Sequence, residues 1–512
     1  MNSPLNRRRF MELSSAAAVG TALAPLGLLN ARIASAQPNC SYASMTVPGF
    51  GPLAFNQLPL NTSQLGTLAQ VPLIALPPGF VYTAISLRGS LDSEGKTVPG
   101  GHDGMACFQG RSGTYVLVRN HELNPTSSSP GCLTSNSKQY DPFVGNAAGL
   151  GGGGTMTLVV DRNGQVLQDY ISLGGTIRNC AGGPTPWSSW ISCEENTNVP
   201  TSASSNQVAK KHGYNFEVPA LLGQAVDPIP LVAMGRMNHE AVSADPNSGY
   251  IYQTEDRGDS AFYRFVPKVR KPSKFGDLQQ GGDLYAMVIK PGQRSACTGA
   301  PLPLSSPQGT EVVDTRGLRG GSTGSMLPFI GQPLAVEWVR LEEVDPAGDT
   351  LRAEAQTKGA AMWFRGEGAW YHQGRHYFVC SNAGDAGEGQ VWCLDPRNET
   401  VTLVVESTSE NLLDGPDNIT VARDGTLYLC EDGSAGTPGN ANYSQRVVGV
   451  DATGGLFDFC KNIIPGNTSE FAGACFSPDG RYMYVNMQGA GITLCIWRSD
   501  SRPIYLRPGF AS

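Results

Sequence analysis

Short runs of aromatic and β-branched residues recur along this chain, each bounded by turn-forming residues. Asp245-Pro246-Asn247-Ser248-Gly249 is a turn leading into Tyr250-Ile251-Tyr252-Gln253-Thr254, and that run meets Glu255 and Asp256. Arg423-Asp424-Gly425 leads in the same way into Leu427-Tyr428-Leu429-Cys430, before Glu431 and Asp432. A third copy, Ser477-Pro478-Asp479-Gly480 into Tyr482-Met483-Tyr484-Val485-Asn486, lacks the terminal acid pair. These hairpin signatures at blade-length spacing predict an all-β chain, and a β-propeller with irregular inter-blade insertions is its simplest closed architecture. A double β-sandwich is the alternative. Residues 268–333 lack clear strand periodicity and read as excursions between blades, while 351–361 reads as a short helix. The run Gly151 to Gly154 lacks the Lys and Ser/Thr of a phosphate-binding loop and reads as a flexible inter-blade turn.

Six segments share one ending, a strand that runs into carboxylates: 115–122, 190–195, 233–240, 250–256, 362–367 and 427–432. In a radial fold, strand ends that are distant in sequence converge on one axis. Oxygen-rich clusters of that kind suit hard cations such as calcium. The six histidines argue against a histidine-rich zinc site.

Composition narrows the class. The 63 glycines and 36 prolines among 512 residues fit a loop-rich chain that still has ample apolar residues for a core. No linker or charge run divides residues 37–512, which read as one domain. A net charge of -7 argues against a nucleic-acid partner and is compatible with bound cations. Twelve cysteines without a CxxC pair are too dilute for a disulfide scaffold, and their pairing is not legible.

Residues 1–36 read as a twin-arginine export signal. Arg7, Arg8 and Arg9 precede Phe10 and Met11, an uncharged stretch runs from Leu13 to Leu29, and Ala34-Ser35-Ala36 supplies a cleavage site. An ordinary secretory signal or a membrane anchor is the alternative, although the stretch is short for a bilayer span. The expected location is periplasmic or secreted, with the twin-arginine machinery as a partner, no stable membrane span and a monomeric state. Export of folded protein allows a cofactor to be installed beforehand.

The densest chemistry lies between Arg178 and Glu195. Asn179-Cys180-Ala181-Gly182-Gly183 places a thiol at the entrance of a turn, and the run 187–193 delivers Glu194 and Glu195. Calcium does not take sulfur, so a functional Cys180 among carboxylates implies a transition metal; the plain alternative is a buried structural cysteine.

These motifs, taken together, resemble the PhoX-type alkaline phosphatases. The resemblance rests on the twin-arginine leader, Arg119-Asn120-His121-Glu122, Arg178-Asn179-Cys180-Ala181-Gly182-Gly183, Cys193-Glu194-Glu195, Asn238-His239-Glu240-Ala241, Thr254-Glu255-Asp256-Arg257, Arg365-Gly366-Glu367-Gly368, Pro416-Asp417-Asn418 and Cys430-Glu431-Asp432-Gly433. It implies a six-bladed propeller with ferric iron, Fe(3+), and calcium, Ca(2+), at its axis, and hydrolysis of phosphomonoesters by a bridging oxo or hydroxo nucleophile. It makes Cys180 an iron ligand, with Glu195, Glu240 and Glu367 as further metal ligands. Glu255, Asp256, Asp417 and Glu431 are candidates for the calcium shell, and Glu122 is a metal ligand or a solvated loop residue. Successive strand residues face opposite ways, so one of Glu194 and Glu195 points away, and Glu195 is assigned to the cluster. His121 and His239 are expected to orient neighbouring acids, and Glu388 reads as a surface turn or an additional ligand. Arg257 and Arg365 fit a phosphate clamp, because guanidinium forks match phosphate oxygens. The alternative is that each neutralises its adjacent carboxylates. Asn120 and Asn418 are further phosphate donors to consider. A calcium-dependent propeller lactonase or esterase, or a non-enzymatic calcium-stabilised binding propeller, are the competing functions; neither needs a thiolate.

Overall fold

The computed structural model describes residues 45–60, 65–132, 138–143, 151–200, 208–433 and 444–506. The leader read at 1–36 therefore lies outside the described residues. Antiparallel pairing between consecutive strands builds six small sheets arranged as blades. The first holds His102–Gln109, Tyr115–His121, Gly153–Val160 and Val166–Thr176. The second has three strands, Asn179–Pro184, Ser189–Glu194 and Asn215–Pro219. In the third, His239–Ala244, Ile251–Glu255, Tyr263–Pro267 and Gly282–Ile289 are followed at the outer edge by Leu334–Arg340. That outer strand also pairs with Thr400–Glu406, the edge of the fourth blade, whose other strands are Gly366–His372, Arg375–Cys380 and Gln390–Asp395. The fifth comprises Pro416–Val421, Leu427–Glu431, Arg446–Val450 and Leu456–Asn462, with Ile74–Ala75 added outside. The sixth is Phe471–Phe476, Tyr482–Met487 and Ile492–Arg498, completed by the early strand Phe80–Leu87.

The first strands of the blades touch one another in sequence order and the sixth touches the first, so they form a closed ring. Six blades around one axis make this a β-propeller, as the hairpin spacing predicted. The Asp-led turns form for a local reason. The carboxylates of Asp161, Asp245 and Asp451 accept the backbone N–H two residues on, at 2.8, 2.9 and 2.8 Å. Gly164, Gly249 and Gly454 then take the left-handed conformation, with φ of 77, 80 and 79°.

Packing between blades is aromatic and buried. Phe262, Trp363, Phe378 and Trp392 are buried together between the third and fourth blades, with ring centroids 4.3 to 6.4 Å apart. Tyr82, Tyr428, Phe457 and Phe459 play the same part between the fifth and sixth. At the axis the side chains become small: Gly104, Ala181, Ala241, Gly368 and Gly473 line a constriction of about 20 Å³ that Trp370 also borders. A Cβ on Gly368 would lie 2.7 Å from the carbonyl oxygen of Asp417, so this closeness demands glycine.

The segment 268–333 holds one full strand, Gly282–Ile289, besides the excursions expected there. A seven-residue helix, Leu351–Thr357, occupies the predicted place. Gly151 to Gly154 differ from expectation. They lie within the first blade rather than between blades, and a Cβ on Gly154 would meet the Leu173 carbonyl oxygen at 2.1 Å, so close packing rather than flexibility selects glycine. Ten described cysteines are free, and Cys297 is disulfide-bonded.

Candidate metal centre

All six inner strands carry a register shift near their start, where an extra residue is inserted opposite the second strand. The inserted position presents Asp103, Cys180, Glu240, Glu367 and Asp417 in the first five blades. In the sixth it is Gly473, where a Cβ would lie 2.4 Å from the carbonyl oxygen of Asp103. Glu470, just before that strand, supplies the carboxyl instead. A repeated bulge thus turns a carboxyl or thiol side chain toward the axis from five blades.

A second tier comes from the ends of the second strands. His121, Glu194, Glu255 and Glu431 pair with the first residues of the inner strands. The next residues, Glu122, Glu195, Asp256 and Asp432, turn toward the axis. The result is four overlapping groups whose ligand atoms lie within 4.8 Å of one another: Cys180 with Glu195 and Glu240; Glu240 with Glu367 and Asp417; Asp417 with Asp432 and Glu470; Asp103 with Glu122 and Glu470. Asp256 joins at the rim through Arg365, whose Nε lies 2.9 Å from Asp256 and 3.2 Å from Glu367. Arg178 bridges Glu122, at 2.8 Å, and Glu195 through Nη2. Neutral donors fill other positions. Ser381 Oγ donates to Glu367 at 2.7 Å, Asn238 to Glu195 at 3.0 Å, and Gln488 to Asp103 and Glu122 at 3.0 and 2.6 Å.

This charge is not balanced among the described residues. Among the described residues, Arg178 and Arg365 are the only basic side chains in ion-pair distance of these carboxyls. Burial, followed by repulsion from Glu122, pushes Glu195 up to about 8. Burial and the neighbouring Asp432 push Asp417 up to about 7. Burial and surrounding carboxylates hold Asp103, Glu240, Glu367 and Glu470 well above the usual carboxylate range, and the Cys180 thiol is raised by burial and by Glu240. Carboxyls gathered this tightly stay ionised only when cations share the site. The donor set fits metals of two kinds: the thiol-containing group suits a transition ion, and the all-oxygen groups suit hard cations.

The sequence model of a family described as alkaline phosphatase PhoX matches residues 60–169 and 154–491. The chain belongs to that family. Membership makes it a phosphatase, and the acidic groups are its candidate metal sites. Among solved structures, PhoX from Pseudomonas fluorescens, in complex with vanadate, is similar in fold at a TM-score of 0.61 and 17% identity, over 89% of this chain and 100% of that one. A structural-genomics protein of unknown function from Bacteroides thetaiotaomicron aligns at 11% identity and a TM-score of 0.40, over 82% of this chain and 76% of its own. No curated protein sequence matches the chain.

Seen in this PhoX-family chain, the residues singled out by sequence divide into two sets. Cys180, Glu195, Glu240, Glu367, Asp417 and Glu122 are brought together, with Asp256 at their rim. Glu255 and Glu431 are not, because each occupies the outward-facing position of its acid pair. Glu255 accepts from Tyr263 Oη at 2.8 Å and faces Arg352, and Glu431 takes a guanidinium fork from Arg446 at 2.6 and 2.9 Å. Arg257 gives its Nε to Asp349 at 2.7 Å. His121 and His239 touch no acid of the cluster: their ring nitrogens meet the carbonyl oxygens of Gly100 and Gly235, at 2.7 and 2.9 Å, and brace the strand entrances. Asn120 is committed to the carbonyl oxygens of Cys180 and Ala181, and Asn418 to Asp417 and the Gly473 N–H. Glu388 lies in a bend outside the four groups. Sequence reasoning overlooked Asp103 and Glu470, and it named Asp432 and Arg178 within motifs without giving them a role. Asp103 had a usable signal, since His102-Asp103-Gly104 copies the acid-then-small order of His239-Glu240-Ala241.

Proposed function

We infer that this phosphatase hydrolyses phosphomonoesters at the axial end of the propeller where the carboxyls converge. In this reading Cys180, Glu195 and Glu240 hold iron, and Glu122, Asp256, Glu367 and Asp417, with Asp103, Asp432 and Glu470, hold calcium or share in bridging. The observation that carries the reading is the buried thiol set among carboxyls, in a cluster with far more acid than base. An all-oxygen calcium propeller has no need of that thiol.

When bound, the metal ions supply positive charge at the phosphoryl oxygens and acidify a water molecule for attack. The chain's own part is positioning. The axial constriction at Gly104, Gly368 and Gly473, about 20 Å³, is too narrow for a phosphoryl group, so in this reading the substrate approaches from the carboxyl-bearing end. Arg365 sits at the rim with its side chain 39% exposed, where it can fix a phosphoryl oxygen while Asp256 and Glu367 keep its fork in place. Burial and the like charges nearby keep the field of the site strong, because little water screens it. Arg257 contributes through its ion pair with Asp349, which anchors the loop ahead of the Leu351–Thr357 helix. The vanadate complex of the Pseudomonas fluorescens relative, vanadate being a transition-state analogue, supports phosphoryl transfer on this fold. The reading includes export through the twin-arginine signal at Arg7 to Ala36, and a monomeric state outside the cytoplasm.

The test is elemental analysis of protein purified without chelator, paired with hydrolysis of p-nitrophenyl phosphate. Iron with calcium, together with turnover that chelation abolishes, is the expected result. Calcium without iron and no turnover would replace the reading with a calcium propeller of different chemistry.

A further inference from the structure

Blade symmetry gives each inner strand a residue immediately before its bulged start: Gly101, Arg178, Asn238, Arg365, Gly415 and Phe471. Four of these take the left-handed backbone conformation, Gly101 and Gly415 with φ of 54° and Arg178 and Arg365 with φ of 47 and 49°. Glycine adopts that conformation freely, whereas an arginine gives up about 1–2 kcal/mol to hold it. Strain of this sort concentrates where a side chain is needed in one place. The two arginines therefore occupy one structural position in the second and fourth blades, and Asn238 fills that position in the blade between them.

We propose that Arg178 is a second guanidinium for the substrate's phosphoryl group, facing Arg365 across Asn238. This rests on the phosphatase reading of the axial site. The two side chains are comparably open, 35% exposed for Arg178 and 39% for Arg365. Their donor use differs. Arg365 spends Nε and Nη2 on Asp256 and Nη1 on Asn382. Arg178 makes both of its ion pairs through Nη2, and its Nε is buried without an acceptor. That leaves donor capacity of Arg178 unspent, and the exposed part of its guanidinium is what a phosphate oxygen can reach. Glu122 and Glu195, the present partners of Arg178, are also cluster carboxyls. Cations on those carboxyls would weaken their hold on Nη2 and release donor capacity to a phosphate. A planar fork on each side of a phosphoryl group binds separate oxygens and leaves the direction of leaving-group departure open.

The experiment compares the metal-loaded wild type with Arg178→Ala, Arg178→Lys and Arg365→Ala. It measures metal content by elemental analysis and inorganic phosphate binding by calorimetry. Arg178→Ala is expected to keep its metals and to bind phosphate at least about tenfold more weakly, the loss expected for a charge-assisted hydrogen bond. Arg178→Lys should fall between the two, since it keeps the charge but not the fork. Full metal with unchanged phosphate affinity in Arg178→Ala overturns the proposal. If the alanine variant loses metal, the lysine variant decides: retained metal with weakened phosphate binding supports the proposal, and metal loss or wild-type affinity overturns it. A phosphate defect in Arg365→Ala alone would leave the phosphatase reading standing while this inference fails. A metal-loaded wild type that binds no phosphate would defeat the reading itself.

Discussion

At the scale of single residues, the decisive fact is which way each acid of a pair faces. Glu431 and Asp432 are neighbours in sequence, yet Glu431 is locked to Arg446 and Asp432 belongs to the axial cluster. Glu431→Ala would remove the carboxylate from the Arg446 fork while leaving Arg446 its contacts to Asp458 and to the carbonyl oxygens of Glu410 and Asn411, and the expected cost is about 1–3 kcal/mol of stability with metal content unchanged. Asp432→Asn is expected to do the opposite, lowering calcium content while shifting stability by about 1 kcal/mol or less. Denaturant titration and elemental analysis of the two variants check both halves. Cys180→Ala is expected to remove iron and phosphatase activity together with little change in secondary structure by circular dichroism, because the thiol makes only long contacts to the carbonyl oxygens of Cys193, His239 and Glu240. Retained activity in that variant would sink the thiolate assignment. The motif residues were legible in sequence because each sits beside a strand signal. Their direction was less so. The alternation that separates Glu194 from Glu195 applies equally to Glu255-Asp256 and Glu431-Asp432, but only the pairing with the inner strand says which acid turns inward.

Among elements, the hairpins were legible because their turns are built from local chemistry, the Asp carboxylate closing on a nearby N–H and a glycine completing the bend. The bulges were not, since a bulge is a property of two paired strands, and neither strand shows it alone. Glu470 was missed for the same reason: nothing in Glu470-Phe471-Ala472 distinguishes it until the register of the sixth blade is known. Apolar clusters span the blade interfaces, and Trp392 is fully buried in one of them. Trp392→Ala is expected to cost about 3–5 kcal/mol in chemical denaturation while leaving metal stoichiometry unchanged, because it empties an interface remote from the axis.

For the molecule as a whole, the axial cluster couples stability to protons and metals. Glu195 is held up to about 8 and Asp417 up to about 7 when no cation is present, both above the ordinary carboxyl values of the unfolded chain. The folded metal-free protein therefore binds more protons than the unfolded chain between about pH 4 and 8, and its stability falls as pH rises through that window. Thermal melts of chelator-treated protein should show the melting temperature dropping from pH 5 to pH 8.5. Metal-loaded protein should show little such drop, since cations replace the protons. A metal-free protein whose melting temperature rises over that range would contradict this. The joining of Phe80–Leu87 to Ile492–Arg498 carries a further consequence. The ring that gathers the acids is sealed by an early strand meeting a late one, and Glu470 belongs to the blade that this union completes. During synthesis the ribosome must release the chain through Ile492–Arg498 before the ring can close, so metal capture waits for the blade made last among the six. A nascent chain halted before residue 471 is expected to hold no stable metal centre, however well its earlier blades have folded.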